Sequence, residues 1–251
     1  MFKRKVIWYS TELANCPHYY TILASEYEII TAQTVNEFLK NLQHKEADAA
    51  ILCFCFPSVE DINKLLYSGA KAGPVPVIAC SKFFNCEFVR RAALGGIERF
   101  LVCGNEIENI NEILSETIRG FGLRCYIKSQ WPGCLNCSPH INHLIDEIIH
   151  AFPQPKSTEE YAKSIGIDRC WLHKICKQAF GLPFTSFLRN IRVHEAICMM
   201  QHTDLPNVDI AFYLKYSEES SMARDFRKEL GFCPGEARKR LNGKSPEGLL
   251  H

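Results

Sequence analysis

Two hydrophobic periodicities divide the chain. In the first half, short apolar runs of strand length recur at residues 6–9, 28–31, 49–56, 75–79 and 99–102. The run at 49–56 (AAILCFCF) is apolar at every position, as a central parallel strand covered on both faces must be. Helical patterns fill the gaps. Thr34-Val35-Asn36-Glu37 has capping-box spacing, and Ser58-Val59-Glu60-Asp61 repeats it with an acid in the third position. Asn105 precedes a helix with Glu106 and Glu108 in its first turn and a stripe of Ile107, Ile110, Leu114 and Ile118. Arg119 and Gly120 predict the end of that helix. Five strand–helix alternations predict a doubly wound α/β domain with a parallel sheet.

From Ile141 the pattern becomes helical and stays so. Ser157-Thr158-Glu159-Glu160 is a capping box opening a helix with Tyr161, Ala162 and Ile165. Gly166 marks a turn, and Asp168 caps a second helix over 169–179 whose inward positions are Leu172, Ile175, Cys176 and Ala179. Helix, glycine turn and helix together predict a helix-turn-helix. The scheme returns fifty residues later: Lys174 matches Arg224, Cys176 matches Phe226, Lys177 matches Arg227 and Gly181 matches Gly231. A long helix near 184–200 joins the two copies, with Phe187, Leu188, Ile191, Ala196, Met199 and Met200 at core spacing. Between the halves, Trp131-Pro132-Gly133 marks a boundary. The predicted organisation is an α/β domain over 1–122, a linker over 123–140 and an all-α domain over 141–251.

Charge adds little. The net formal charge is +1, with 13 basic and 14 acidic residues in 1–124 against 16 and 14 in 125–251. That balance permits nucleic-acid binding without arguing for it. Its distribution says more: the predicted helix after Asp168 presents Arg169, Cys170, Trp171, His173, Lys174 and Lys177 with no acid among them, a surface suited to phosphates and base edges. No apolar run has the length of a membrane span, and the start of the chain has too short an apolar stretch for a signal peptide. The expected compartment is the cytoplasm of a bacterium, where the 13 cysteines stay reduced.

The second half closely resembles the AraC/XylS-type DNA-binding domain, from about Ile141 to Leu241. The strings that carry this are STEEYAKSIGIDRCWLHKICKQAFG, FLRNIRVHEAICMM and VDIAFYLKYSEESSMARDFRKELGFCPGEAR, with Arg192 and Ala196 at the family's linker-helix Arg and Ala. The resemblance implies two helix-turn-helix units reading successive major grooves of a double-stranded operator. It places Cys170, His173, Lys174, Glu219, Ser220, Ala223 and Arg224 against bases, and Arg169, Trp171, Lys177 and Arg227 against phosphates. Lys215 stands where the family has a turn glycine, at a cost of about 1–2 kcal/mol if its backbone is left-handed.

The first half resembles a response-regulator receiver domain over about residues 4–120, in Phe56-Pro57, PVPVIACS and GGIERFLVCG. The phosphorylation chemistry is absent. Receivers place a magnesium-binding acid pair after the first strand, where this chain has Tyr9-Ser10-Thr11; Cys53 replaces the accepting aspartate and Cys103 the lysine, while Ser81 keeps the hydroxyl. The resemblance implies a pseudo-receiver that supplies signal input or homodimerisation, with RNA polymerase as a further candidate partner.

Two thiol groupings offer alternatives. Cys53 and Cys103 would line the receiver pocket, and Cys134, Cys137, His140 and His143 offer zinc-type ligands at closer spacing than a zinc finger uses. Either would make a redox- or metal-responsive regulator; otherwise no cofactor or metal is expected. A protein-interaction module with a vestigial DNA-binding domain is a separate alternative. No nucleophile elbow, phosphate loop or paired-acid site is present, so an enzyme is not expected.

Overall fold

A computed structural model describes residues 3–10, 17–43, 47–53, 75–82, 86–94, 97, 99–102, 109–134 and 138–241. The chain divides into two compact units, one over Phe2–Phe121 and the other over Gly122–His251.

The first unit is built on five strands: β1 (Arg4–Tyr9), β2 (Tyr27–Ala32), β3 (Ala49–Cys53), β4 (Val77–Ser81) and β5 (Arg99–Val102). All pairings are parallel, in the order β2-β1-β3-β4-β5. Each strand sends alternate side chains to opposite faces. Ile7, Tyr9, Ala50, Leu52, Val77 and Ala79 form one core with Val35, Phe38 and Leu42 of α2 (Val35–Gln43) and Ala92 of α3 (Cys86–Leu94). Val6, Trp8, Ile51, Cys53, Ile78, Cys80 and Leu101 form the other, with Leu23 of α1 (Pro17–Glu26) and Ile110 and Leu114 of α4 (Ile110–Gln130). Helices on both faces of a parallel sheet make the predicted doubly wound arrangement. Half of the box at Thr34 forms: its Oγ1 accepts from the Glu37 N–H at 3.2 Å, while the Glu37 carboxylate accepts from the Gln33 N–H at 2.9 Å. The strand expected from residue 75 begins at Val77, because Pro76 has no N–H to donate. The candidate helix start at Ser58 and the residues Thr11, Cys103 and Asn105 lie outside the described residues.

The helix stop predicted at Gly120 does not occur, and residues 123–130 of the expected linker are helical. The chain stays helical because Leu123 and Ile127, four residues apart, are both fully buried. Burying each is worth about 1.5–3 kcal/mol, more than the roughly 1 kcal/mol cost of a helical glycine.

The second unit is all helical: α5 (Pro139–Ala151), α6 (Thr158–Ser164), α7 (Arg169–Phe180), α8 (Phe184–His202), α9 (Asn207–Tyr213), α10 (Glu219–Leu230) and α11 (Pro234–Leu241) follow the end of α4. Its organising element is α8, on which α7, α9, α10 and α11 all pack. Helix α8 buries Phe184, Phe187, Ile191, Val193, His194, Glu195, Ala196, Ile197 and Met200, so it is covered nearly all round, as an interior helix should be. Trp131, expected to mark a linker, belongs to this core. Its ring meets Phe180 edge-on at 5.5 Å and Phe187 at 5.1 Å, while Phe180 and Phe187 stack at 3.9 Å. No helix among the described residues is long and apolar enough to cross a membrane.

Candidate nucleic-acid interface

Two helix pairs of this unit are built alike, and their likeness begins in the turns. Helix α6 opens on the predicted box: Ser157 Oγ accepts from the Glu160 N–H, and Glu160 Oε2 accepts from the Ser157 N–H at 2.7 Å. It closes with Gly166 N–H donating to Lys163 O and Ile167 N–H to Ala162 O. Helix α9 closes with the same two bonds, Lys215 N–H to Phe212 O and Tyr216 N–H to Ala211 O. These are Schellman closures, which need a left-handed residue at the turn. Gly166 supplies it at φ 72°, and Lys215 supplies it at φ 57°.

The conditional cost at Lys215 is therefore present. Lys215→Gly is expected to stabilise the protein by about 1 kcal/mol: the left-handed strain of about 1–2 kcal/mol is relieved, and part is returned as unfolded-state freedom. Chemical denaturation of the full chain checks this, and a destabilised variant would show that the Lys215 side chain outweighs its backbone strain.

After each turn a second helix begins. Asp168 caps α7, its carboxylate accepting from the Trp171 N–H at 2.9 Å. Helix α10 starts one residue later relative to its turn, after Glu218, which makes no side-chain cap bond. Both helices end on a left-handed glycine, Gly181 at φ 71° and Gly231 at φ 79°. Leu172 and Cys176 of α7 and Met222 and Phe226 of α10 point inward. Burial pushes the Cys176 thiol up to about 12, so it is an inert core group.

The opposite faces are open. On α7, Arg169, Cys170, Trp171, Lys174 and Lys177 are exposed and His173 is half-buried. On α10, Glu219, Ser220, Arg224 and Arg227 are exposed and Ala223 is half-buried; Lys228, which the sequence reading passed over, is exposed too. Two α7 residues are already engaged. Arg169 pairs with Glu159 at 2.8 Å, an exposed ion pair weak enough to exchange for a phosphate. The edge of Trp171 meets the His140 ring at 4.9 Å.

The second pair is tied to α8 by Arg189, Asn190 and Glu229, which the sequence reading missed, and by Arg192, which it named only within the family resemblance. Glu229 of α10 accepts from Arg189 Nε through one carboxylate oxygen and from Asn190 Nδ2, at 2.8 Å, through the other. Arg192 donates to Leu214 O at 2.9 Å and lies 3.6 Å over the Tyr216 ring. Spacing alone held one signal, since Arg189 and Arg192 fall three apart on one helix; their partners lie too far along the chain to be read from sequence.

The described members of the 134–143 grouping do not come together, and Cys103, the expected partner of Cys53, lies outside the described residues. Cys134 is fully buried, His140 faces Trp171 and His143 lies 3.9 Å from Glu147. Among the described residues these three do not converge as ligands, and Cys137 lies outside them. His140 and His143 are the second and fifth residues of the helix that starts at Pro139. Cys53 is aligned in the sheet with Cys80.

Residues 161–240 match the helix-turn-helix domain family. The match covers α6 through α11 nearly to the end of the described residues. An uncharacterized HTH-type transcriptional regulator of Bacillus subtilis, YtdP, is 31% identical over 104 residues, which is 41% of this chain and 13% of that protein. The HTH-type transcriptional activator RhaS of Escherichia fergusonii is 29% identical over 104 residues, 41% of this chain and 37% of RhaS. The chain thus spans well under half the length of these relatives. The signal receiver domain of a putative Luxo repressor protein from Vibrio parahaemolyticus is similar in structure at 13% identity, with a TM-score of 0.43, covering 51% of this chain and 98% of that one.

Proposed function

We propose that this protein is a sequence-specific DNA-binding transcription regulator that works without phosphorylation. It uses two helix-turn-helix units, α6–α7 and α9–α10, to set α7 and α10 into successive major grooves. The observation that carries this reading is the repeated construction: two helices of like length, each capped off on a left-handed glycine, each packed on α8, each with an open face free of buried apolar groups. A groove about 12 Å wide admits one such helix, and successive grooves on one side of the duplex lie roughly 34 Å apart.

In this reading Cys170, His173 and Lys174 face bases from α7, and Glu219, Ser220, Ala223 and Arg224 from α10. Arg169, Trp171, Lys177 and Arg227 hold phosphates. The 1–122 unit acts as a pseudo-receiver for input or homodimerisation, joined by a linker to the DNA-binding domain over 141–251, and RNA polymerase is a partner to test. The thiol at Cys53 and the buried hydroxyl of Ser10 offer no hard oxygen pair for magnesium and no carboxylate to phosphorylate. The alternative thiol sensors named from sequence gain no support from the geometry.

Selection of randomised duplexes with the full chain tests the reading. The expected product is a site with two boxes about 10 base pairs apart. Failure to enrich any duplex over input, at low salt and with the protein folded, overturns it.

A further inference from the structure

Helix α8 carries a second chemical feature, unrelated to its packing role. His194, Glu195 and Cys198 bring one ligand-type atom each to within 4.8 Å of one another. The spacing explains the convergence. Residues four apart share a helix face, so His194 Nε2 lies 3.5 Å from Cys198 Sγ, and Glu195 sits three residues before Cys198 on the flank of that face. We propose that His194, Glu195 and Cys198 form a binding site for a soft divalent ion of the zinc class.

Three observations support it. First, nitrogen, sulfur and carboxylate oxygen is a donor set that zinc accepts, with bonds near 2.0–2.3 Å. Tetrahedral bonds of that length set ligands about 3.3–3.8 Å apart. Small side-chain rotations close the present separation to that range. Second, charge balances: one thiolate and one carboxylate neutralise a divalent ion, so the buried site carries no net charge, and the Cys198 proton leaves to solvent on binding. Third, the imidazole is held ready. His194 is 9% exposed. It stacks on Tyr126 at 3.8 Å, which fixes its plane. Three protein ligands leave a fourth position for water or another donor, since Cys198 is only half-buried.

The site is distinct from the grouping at residues 134–143, and it stands whether or not the protein binds DNA. Titration of the full chain with cobalt(II), after chelation and under reductant, tests it. The expected result is a thiolate-to-cobalt charge-transfer band that saturates at one equivalent and is displaced by zinc. Cys198→Ser, a change of one atom, should abolish the band. His194→Gln should weaken binding by about tenfold or more. A Cys137→Ser, His143→Gln double variant should keep the band. Circular dichroism of each sample establishes that the fold is retained. Absence of a band in the parent protein, or its persistence in Cys198→Ser, overturns the site; loss in the Cys137→Ser, His143→Gln variant alone overturns it by moving the ion elsewhere.

Discussion

Alanine at Arg224 is expected to weaken binding to the selected duplex by about tenfold to a hundredfold and to relax preference at one base pair. Arg224 is exposed near the middle of α10, on the side opposite the buried Met222 and Phe226. A guanidinium there can donate two parallel bonds to guanine O6 and N7, worth about 1–3 kcal/mol of discrimination. No acid lies one turn before it on the same face, since Ser220 occupies that place. The contrast is with Arg227, three residues on, which holds phosphate in the proposed reading. Its loss should weaken all sequences alike and reduce the salt slope of log K by about 0.9. Binding isotherms on single-base variants of the selected site, at several salt concentrations, separate the two behaviours. Uniform weakening in Arg224→Ala would make that residue a phosphate clamp and leave base reading in α10 to its neighbours.

Phe187→Ala is expected to cost about 3–5 kcal/mol, enough to unfold a marginal domain. The side chain is fully buried in α8, stacked on Phe180 and met by the edge of Trp131. Removing it leaves a cavity walled by rigid rings, which close in poorly, so the loss sits near the top of that range. Denaturant midpoints of the full chain measure it. Because Trp131 borders the cavity, its fluorescence should report the same transition. A cost under about 1.5 kcal/mol would mean that the cluster repacks, as volume-conserving changes do.

The elements most legible from sequence were those fixed by local bonds. The Ser157 box, the Asp168 cap and the turn at Gly166 each specify their own backbone, and the structure places them as read. The sheet was legible for a similar reason: strands buried on both faces leave continuous apolar runs. What misled was punctuation weighed without tertiary context. Gly120 reads as a stop, yet Leu123 and Ile127 keep the helix going. Trp131-Pro132-Gly133 reads as a boundary, yet the tryptophan completes an aromatic cluster with residues about fifty positions away. A dense Cys/His string at 134–143 drew attention, while His194 and Cys198, four apart on one helix, were read only as part of the string FLRNIRVHEAICMM. Spacing on a known helix is informative; spacing across an unknown turn is not.

Helix α8 is continuous from Phe184 to His202 and shares one core with both helix pairs. In the proposed reading this joins the two DNA contacts by a stiff spacer rather than a tether. Once one half is seated, the other faces its box at a high effective concentration, with little chain entropy left to lose. The same stiffness removes tolerance. One extra base pair between the boxes would turn the second away from its reader, and the protein would then hold such a site by a single half.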